Sequence, residues 1–123
     1  MTIEEEFKKW CIDPYAGNTL EERKKLGQYF TPPVLTKQMI DMFGRDISNE
    51  KILDPTAGNG NLIAGAILYG HAKPENCYAN ELDPNIYKQL VERLGELGVP
   101  KENIVNMDVL SDEFRDWVEA ISC

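Results

Sequence analysis

Hydrophobic positions change their spacing near residue 51, and the change separates a helical N-terminal stretch from an alternation of short apolar runs and helices. Between Thr2 and Ile12, Ile3, Phe7, Trp10 and Cys11 fall at helical spacing, and Asp13-Pro14 stops that helix. Residues Asp13 to Asn18 are turn material, and Leu20 to Leu26 reads as a charged helical connector. Thr31 then serves as an N-cap with Pro32 at the first helical position. The helix it opens carries Leu35, Met39, Met42 and Phe43 on one face and ends at Gly44.

From Lys51 the units repeat in kind. Lys51 to Leu53 is a short strand entering Asp54-Pro55-Thr56-Ala57-Gly58-Asn59-Gly60, and Leu62, Ile63, Ala66 and Ile67 mark a buried helix closing at Gly70. Cys77 to Ala79 is a second strand ending at Asn80-Glu81. The helix after it starts at Pro84, places Ile86, Leu90, Leu94 and Leu97 on one stripe beside Tyr87 and Val91, and stops at Gly98. Asn103 to Asn106 is a third strand. A last helix, Asp112 to Ile121, turns Phe114, Trp117, Val118 and Ile121 inward. A helix followed by three strand–helix units predicts an α/β fold: a three-stranded, mostly parallel sheet flanked by helices, with residues 1–25 as an N-terminal helical extension.

Composition narrows the function classes. At 123 residues and 42% hydrophobic content the chain is one ordinary globular domain. Thirteen basic against 21 acidic side chains leave a net charge of −8, which opposes a polyphosphate and argues against autonomous nucleic-acid binding. The one basic run, Arg23-Lys24-Lys25, reads as a solvated helix face. Cys11, Cys77 and Cys123 are far apart and His71 is the single histidine, so neither a zinc site nor a Cys/His nucleophile is expected. Glu4-Glu5-Glu6 stands where a leader peptide would need an apolar core, and no run approaches the length of a membrane span. The expectation is a reduced, cytoplasmic protein without a membrane partner.

In a parallel sheet of this kind ligands bind beyond the carboxyl ends of the strands, where Asp54, Glu81 and Asp108 stand. Gly58 and Gly60 would let backbone approach a ligand closely. The dinucleotide pattern Gly-x-Gly-x-x-Gly fails because Ile63 occupies its third glycine position, and Asp54 ahead of the turn would repel a phosphate. A cationic or hydroxyl-bearing ligand suits the loop better. Glu81 is placed to accept from a ribose diol and Asp108 to reach an adenine amino group. The alternative for both acids is helix capping, for which Asp83 and Ser111 are the better candidates.

Leu26-Gly27-Gln28-Tyr29-Phe30-Thr31-Pro32 followed by Asp54-Pro55-Thr56-Ala57-Gly58-Asn59-Gly60-Asn61-Leu62 resembles, in order and spacing, the first two signatures of S-adenosylmethionine-dependent adenine-N6 DNA methyltransferases of the restriction-modification type. Asn80-Glu81-Leu82-Asp83 is similar to that family's ribose-binding acidic motif, and Asn106-Met107-Asp108-Val109-Leu110 to its adenine-binding motif. The resemblance covers Leu26 to Leu110 and implies that residues 26–123 form an incomplete, partial Rossmann-like methyltransferase domain that binds S-adenosylmethionine. It implies that Tyr29, Phe30 and Thr31 line the methionine end of the cofactor, an aromatic wall suiting the sulfonium. Asp54 would take the ammonium, with Pro55, Ala57, Gly58 and Gly60 forming the loop beside it. Glu81 would hold the ribose hydroxyls, Leu82 and Val109 would flank the adenine and Asp108 would accept from its amino group. Plain core packing remains the alternative for Tyr29, Phe30 and Leu82.

Absent from these residues is the family's Asn/Asp-Pro-Pro-Tyr/Phe catalytic motif. Asp13-Pro14-Tyr15 lacks a proline and reads as a turn, and Thr31-Pro32-Pro33-Val34 lacks both amide and ring, so no catalytic residue is assigned. The family's sheet would leave the first strand with an unpaired edge, to be covered by a second copy, a separate polypeptide or the rest of a longer protein. The leading expectation is therefore a cofactor-binding portion of an adenine-N6 DNA methyltransferase, inactive alone, that meets nucleic acid only within a larger assembly. The alternative is a catalytically inactive, methyltransferase-like protein-interaction module.

Overall fold

The computed structural model describes residues 33–122, so the expected helix at 2–12, the connector, the cap at Thr31 and the aromatic pair Tyr29-Phe30 lie outside the described residues. In chain order the elements are α1 (Pro33–Asp41), β1 (Ile52–Asp54), α2 (Asn61–Leu68), β2 (Cys77–Asn80), α3 (Pro84–Glu96), β3 (Ile104–Val105) and α4 (Asp112–Ser122). Single 3-10 turns at Pro74–Asn76 and Lys101–Asn103 lead into β2 and β3.

The strands form one parallel sheet in the order β1-β2-β3. Ile52 pairs with Cys77 and Asp54 with Ala79; Ala79 in turn pairs with Ile104. This register brings Asp54, Glu81 and the residues after Val105 to the same end of the sheet. Among the described residues β1 is hydrogen-bonded on one side, so the expected free edge is present.

α2 and α3 pack together on one face of the sheet, the arrangement the right-handed crossover rule gives for parallel strands in the order β1-β2-β3. Cys77 and Ala79 turn toward that face and are fully buried, packed in one cluster with Ile63, Ala66, Leu90, Leu94 and Ile104. The alternate residue Tyr78 points to the opposite face, where its ring meets Trp117 of α4 edge-on at 6.2 Å. The α4 stripe anticipated from the sequence faces the sheet, yet Phe114, Trp117, Val118 and Ile121 are only half-buried. Lys51 Nζ donates to the Ile121 carbonyl at 2.7 Å, satisfying one of the orphan acceptors at the end of α4.

The structure adds one point to the sequence reading and corrects another. The apolar stripe of α1 is not the face it buries: Leu35, Met39, Met42 and Phe43 are exposed, Met42 to 83%, whereas Thr36 is fully buried and Ile40 packs against the core. The cause lies on α2, where a Cβ at Gly65 would collide with Thr36 Cγ2, so the two helices cross closely at a glycine–threonine contact. The third strand is also shorter than anticipated. Asn103 belongs to the preceding turn and spends its side-chain amide on the Glu75 and Cys77 carbonyls, and Asn106 lies beyond the ladder.

Candidate cofactor site at the strand ends

Asp54 ends β1 and is 8% exposed. Its Oδ1 accepts from the Thr56 N–H at 3.1 Å, closing an Asx turn that starts the loop into α2. Burial pushes its carboxyl above the usual carboxylate range; the Thr56 bond opposes that rise, and the nearby charge of Glu81 adds to it. A buried carboxylate held this way gains most from an incoming cation.

The loop itself is fixed from the neighbouring strand. The Ala57 N–H donates to the Asn80 carbonyl at 2.9 Å, and Gly58, at φ +56°, donates its N–H to Glu81 Oε1 at 3.0 Å. The second carboxylate oxygen of Glu81 accepts from the Asp83 N–H at 2.9 Å. An ionised carboxylate offers about four lone-pair sites, so one on each oxygen remains after these bonds. Glu81 is thereby oriented by backbone on both sides while keeping the acceptor pair that a diol requires.

Helix capping is assigned to other residues, as the sequence suggested. Asp83 Oδ1 accepts from the Asn85 and Ile86 N–H groups, and Ser111 Oγ accepts from the Phe114 N–H. Asp108 is exposed, and its Oδ1 accepts from the Leu110 N–H at 3.0 Å. Leu82 (64% exposed), Val109 (42%) and Pro55 are uncovered apolar surface on the loops that carry the three acids. Core packing is thus excluded for Leu82. Gly60, at φ +83°, has a packing reason of its own: a Cβ there would stand 2.9 Å from Leu90 Cδ1 and 3.0 Å from Leu94 Cδ2.

Sequence reasoning did not single out Asn80. It is 1% exposed, and its Nδ2 donates to the Pro55 and Met107 carbonyls while its Oδ1 accepts from the Met107 N–H at 2.8 Å. The signal available in the sequence was a polar residue within an otherwise apolar strand, directly before the acidic motif. A separate apolar hollow of about 290 Å³ opens between α1, β1 and α2, with Met39, Phe43, Ile52, Leu53 and Leu62 on its wall; it adjoins the acidic site at Asp54 and Pro55.

The sequence profile of the N-6 DNA Methylase family matches residues 9–92, most of the chain. This chain belongs to the N-6 DNA Methylase family. It is 32% identical over 105 residues to the type II methyltransferase M.VspI of Vibrio sp. (strain 343), covering 84% of this chain and 26% of that protein. It is 28% identical over 103 residues to M.BsuBI of Bacillus subtilis, covering 80% and 20%. The type I restriction-modification methyltransferase subunit of Streptococcus thermophilus superposes with a TM-score of 0.54 at 29% identity, over 69% of this chain and 20% of that one. The fold is therefore the α/β methyltransferase fold that the motifs implied. This N-6 DNA Methylase chain spans about a quarter or less of the length of these relatives. Among its described residues no helix is long and apolar enough to cross a membrane.

Proposed function

We propose that this chain is the S-adenosylmethionine-binding portion of an adenine-N6 DNA methyltransferase and is catalytically inactive by itself. One observation carries the reading: parallel register brings Asp54, Glu81 and Asp108 to one end of the sheet, with Glu81 oriented by the Gly58 and Asp83 N–H groups. The donor set fits the cofactor. Asp54 offers a buried carboxylate to the ammonium, Glu81 two acceptors to the ribose diol, Asp108 an acceptor to the adenine amino group, and Leu82, Val109 and Pro55 apolar surface to the base. By the motif resemblance alone, Tyr29, Phe30 and Thr31, which lie outside the described residues, would line the methionine end. S-adenosylmethionine, when bound, supplies the electrophilic methyl group; these residues hold and orient it and transfer no proton.

The 123 residues contain no Asn/Asp-Pro-Pro-Tyr/Phe string, and the net charge of −8 does not attract DNA. Target recognition and methyl transfer accordingly belong to further sequence, on this or a partner polypeptide, seated on the β1 edge and the adjoining apolar hollow. Calorimetric titration of the purified chain tests the binding claim. Saturable heat with S-adenosylmethionine or S-adenosylhomocysteine, lost in Asp54→Ala and Glu81→Ala, is the expected result. A wild-type chain giving no heat at millimolar ligand overturns it. The competing reading, a methyltransferase-like interaction module, draws on the exposed α1 stripe beside the free edge, and would instead yield a stoichiometric protein partner and no cofactor heat.

A further inference from the structure

Asp54 is the last residue of β1, where one loop begins, and Glu81 and Asp108 sit on two further loops, the least rigid places to hold a ligand group in register. Two asparagines join those loops to one another. Asn80, at the end of β2, donates one amide hydrogen to Pro55 O of the β1 loop (3.1 Å) and the other to Met107 O of the β3 loop (2.9 Å). Its Oδ1 accepts from the Met107 N–H, so the amide orientation is set: two carbonyls face the nitrogen and one N–H faces the oxygen. Asn106, just past β3, reaches back the other way, donating to Glu81 O at 2.7 Å and Leu82 O at 2.9 Å. Each of these bonds spans 24 to 27 residues of sequence.

We propose that Asn80 and Asn106 are positioning residues: a reciprocal amide brace that fixes the loops bearing Asp54, Glu81 and Asp108 relative to one another before the cofactor arrives. This rests on the cofactor reading given above. The residues tied by Asn80 each adjoin one of the acids: Asn80 itself precedes Glu81, Met107 precedes Asp108 and Pro55 follows Asp54. It is distinct from helix capping, which Asp83 and Ser111 perform. The fold also supplies an internal control. Asn103 makes the same kind of bonds, to Glu75 O and Cys77 O, at the amino end of β2, remote in the sheet from the acids.

Three variants of the full chain decide the matter, each titrated with S-adenosylmethionine and followed by amide hydrogen exchange. Asn80→Asp removes both donors and sets a carboxylate against two carbonyls, so its affinity falls about tenfold or more at neutral pH. Acidification restores one O–H donor and removes the added charge beside Asp54 and Glu81, so the ratio of variant to wild-type affinity recovers as pH drops. Asn106→Ala, at an exposed position, folds and weakens binding by about threefold to tenfold. It also speeds exchange of the Gly58 N–H, whose acceptor Glu81 it loosens. Asn103→Ala lowers thermal stability but keeps affinity within about twofold.

Unchanged affinity in Asn106→Ala, or an equal loss in Asn103→Ala, overturns the brace. Should the wild-type chain take up no cofactor, the functional reading fails separately. The brace is then judged in the ligand-free chain: it stands if Asn106→Ala accelerates Gly58 exchange and Asn103→Ala does not, and falls otherwise.

Discussion

Gly60 allows a packing claim to be separated from a ligand claim. It is the residue before α2, at φ +83°, and its missing Cβ leaves room for Leu90 Cδ1 and Leu94 Cδ2, whose side chains are fully buried. Alanine there incurs two costs. A left-handed backbone costs a non-glycine residue about 1–2 kcal/mol. Placing a methyl against the tips of two fully buried leucines adds about 1–3 kcal/mol, because a close-packed core yields only by rotamer or backbone shifts. Gly60→Ala should therefore destabilise the chain by about 2–5 kcal/mol. Gly44→Ala isolates the first cost, since Gly44 has φ +64° and nothing within 4 Å of the Cβ position. Urea unfolding of the two variants beside wild type measures both, with the midpoint shifting and the slope constant. Equal losses in the two would refute the packing argument. An undisturbed midpoint in Gly60→Ala with loss of cofactor binding would show that the glycine serves the ligand instead of α3.

Asp54 gives a pH prediction. Its carboxyl is raised in the folded chain, chiefly by burial, so between the ordinary value of 3.8 and its folded value the native state holds more protons than the unfolded one. Stability falls as pH rises through that window, and Asp54→Asn, which can still accept from Thr56, is more stable than wild type at pH 7 with a gain that vanishes below pH about 3.8; thermal melts from acid to neutral pH measure it. The same titration makes cofactor affinity drop as pH falls through the window in the wild type. Cys77 is buried, its Sγ lies 3.5 Å from Lys73 O, and burial with the nearby Glu75 pushes the thiol up to about 11. In a Cys11→Ser/Cys123→Ser background, maleimide labelling of Cys77 should require unfolding, and rapid labelling of the native chain would contradict the buried assignment.

The order of elements was legible because each carries its own punctuation. Pro84 and Gly98 bracket α3, the period-two pattern of Cys77 and Ala79 marks a strand facing two helices, and Asp54-Pro55 closes β1. The acids at the strand ends followed from the parallel-sheet rule alone. What local pattern could not supply was tertiary in origin. The buried face of α1 is set by a glycine on another helix, so hydrophobicity along α1 pointed to Leu35 and Met39 while the close crossing selected Thr36. Asn80, Asn103 and Asn106 read as strand or turn residues, because their partners are carbonyls 24 to 28 residues away. The division of labour at the acids was half legible: Asp83 and Ser111 were recognisable caps, but the Gly58 N–H that orients Glu81 comes from a different loop.

Backbone amide spectra recorded as S-adenosylmethionine is added to the isotopically labelled chain test the central claim most directly, because they locate the ligand as well as detect it. Shifts should concentrate at Asp54–Gly60, Glu81–Asp83 and Met107–Leu110, while the opposite end of the sheet, at Ala72–Glu75 and Val99–Glu102, stays still. A saturating ligand that moves none of these resonances, or only those around Met39 and Phe43, would contradict the account.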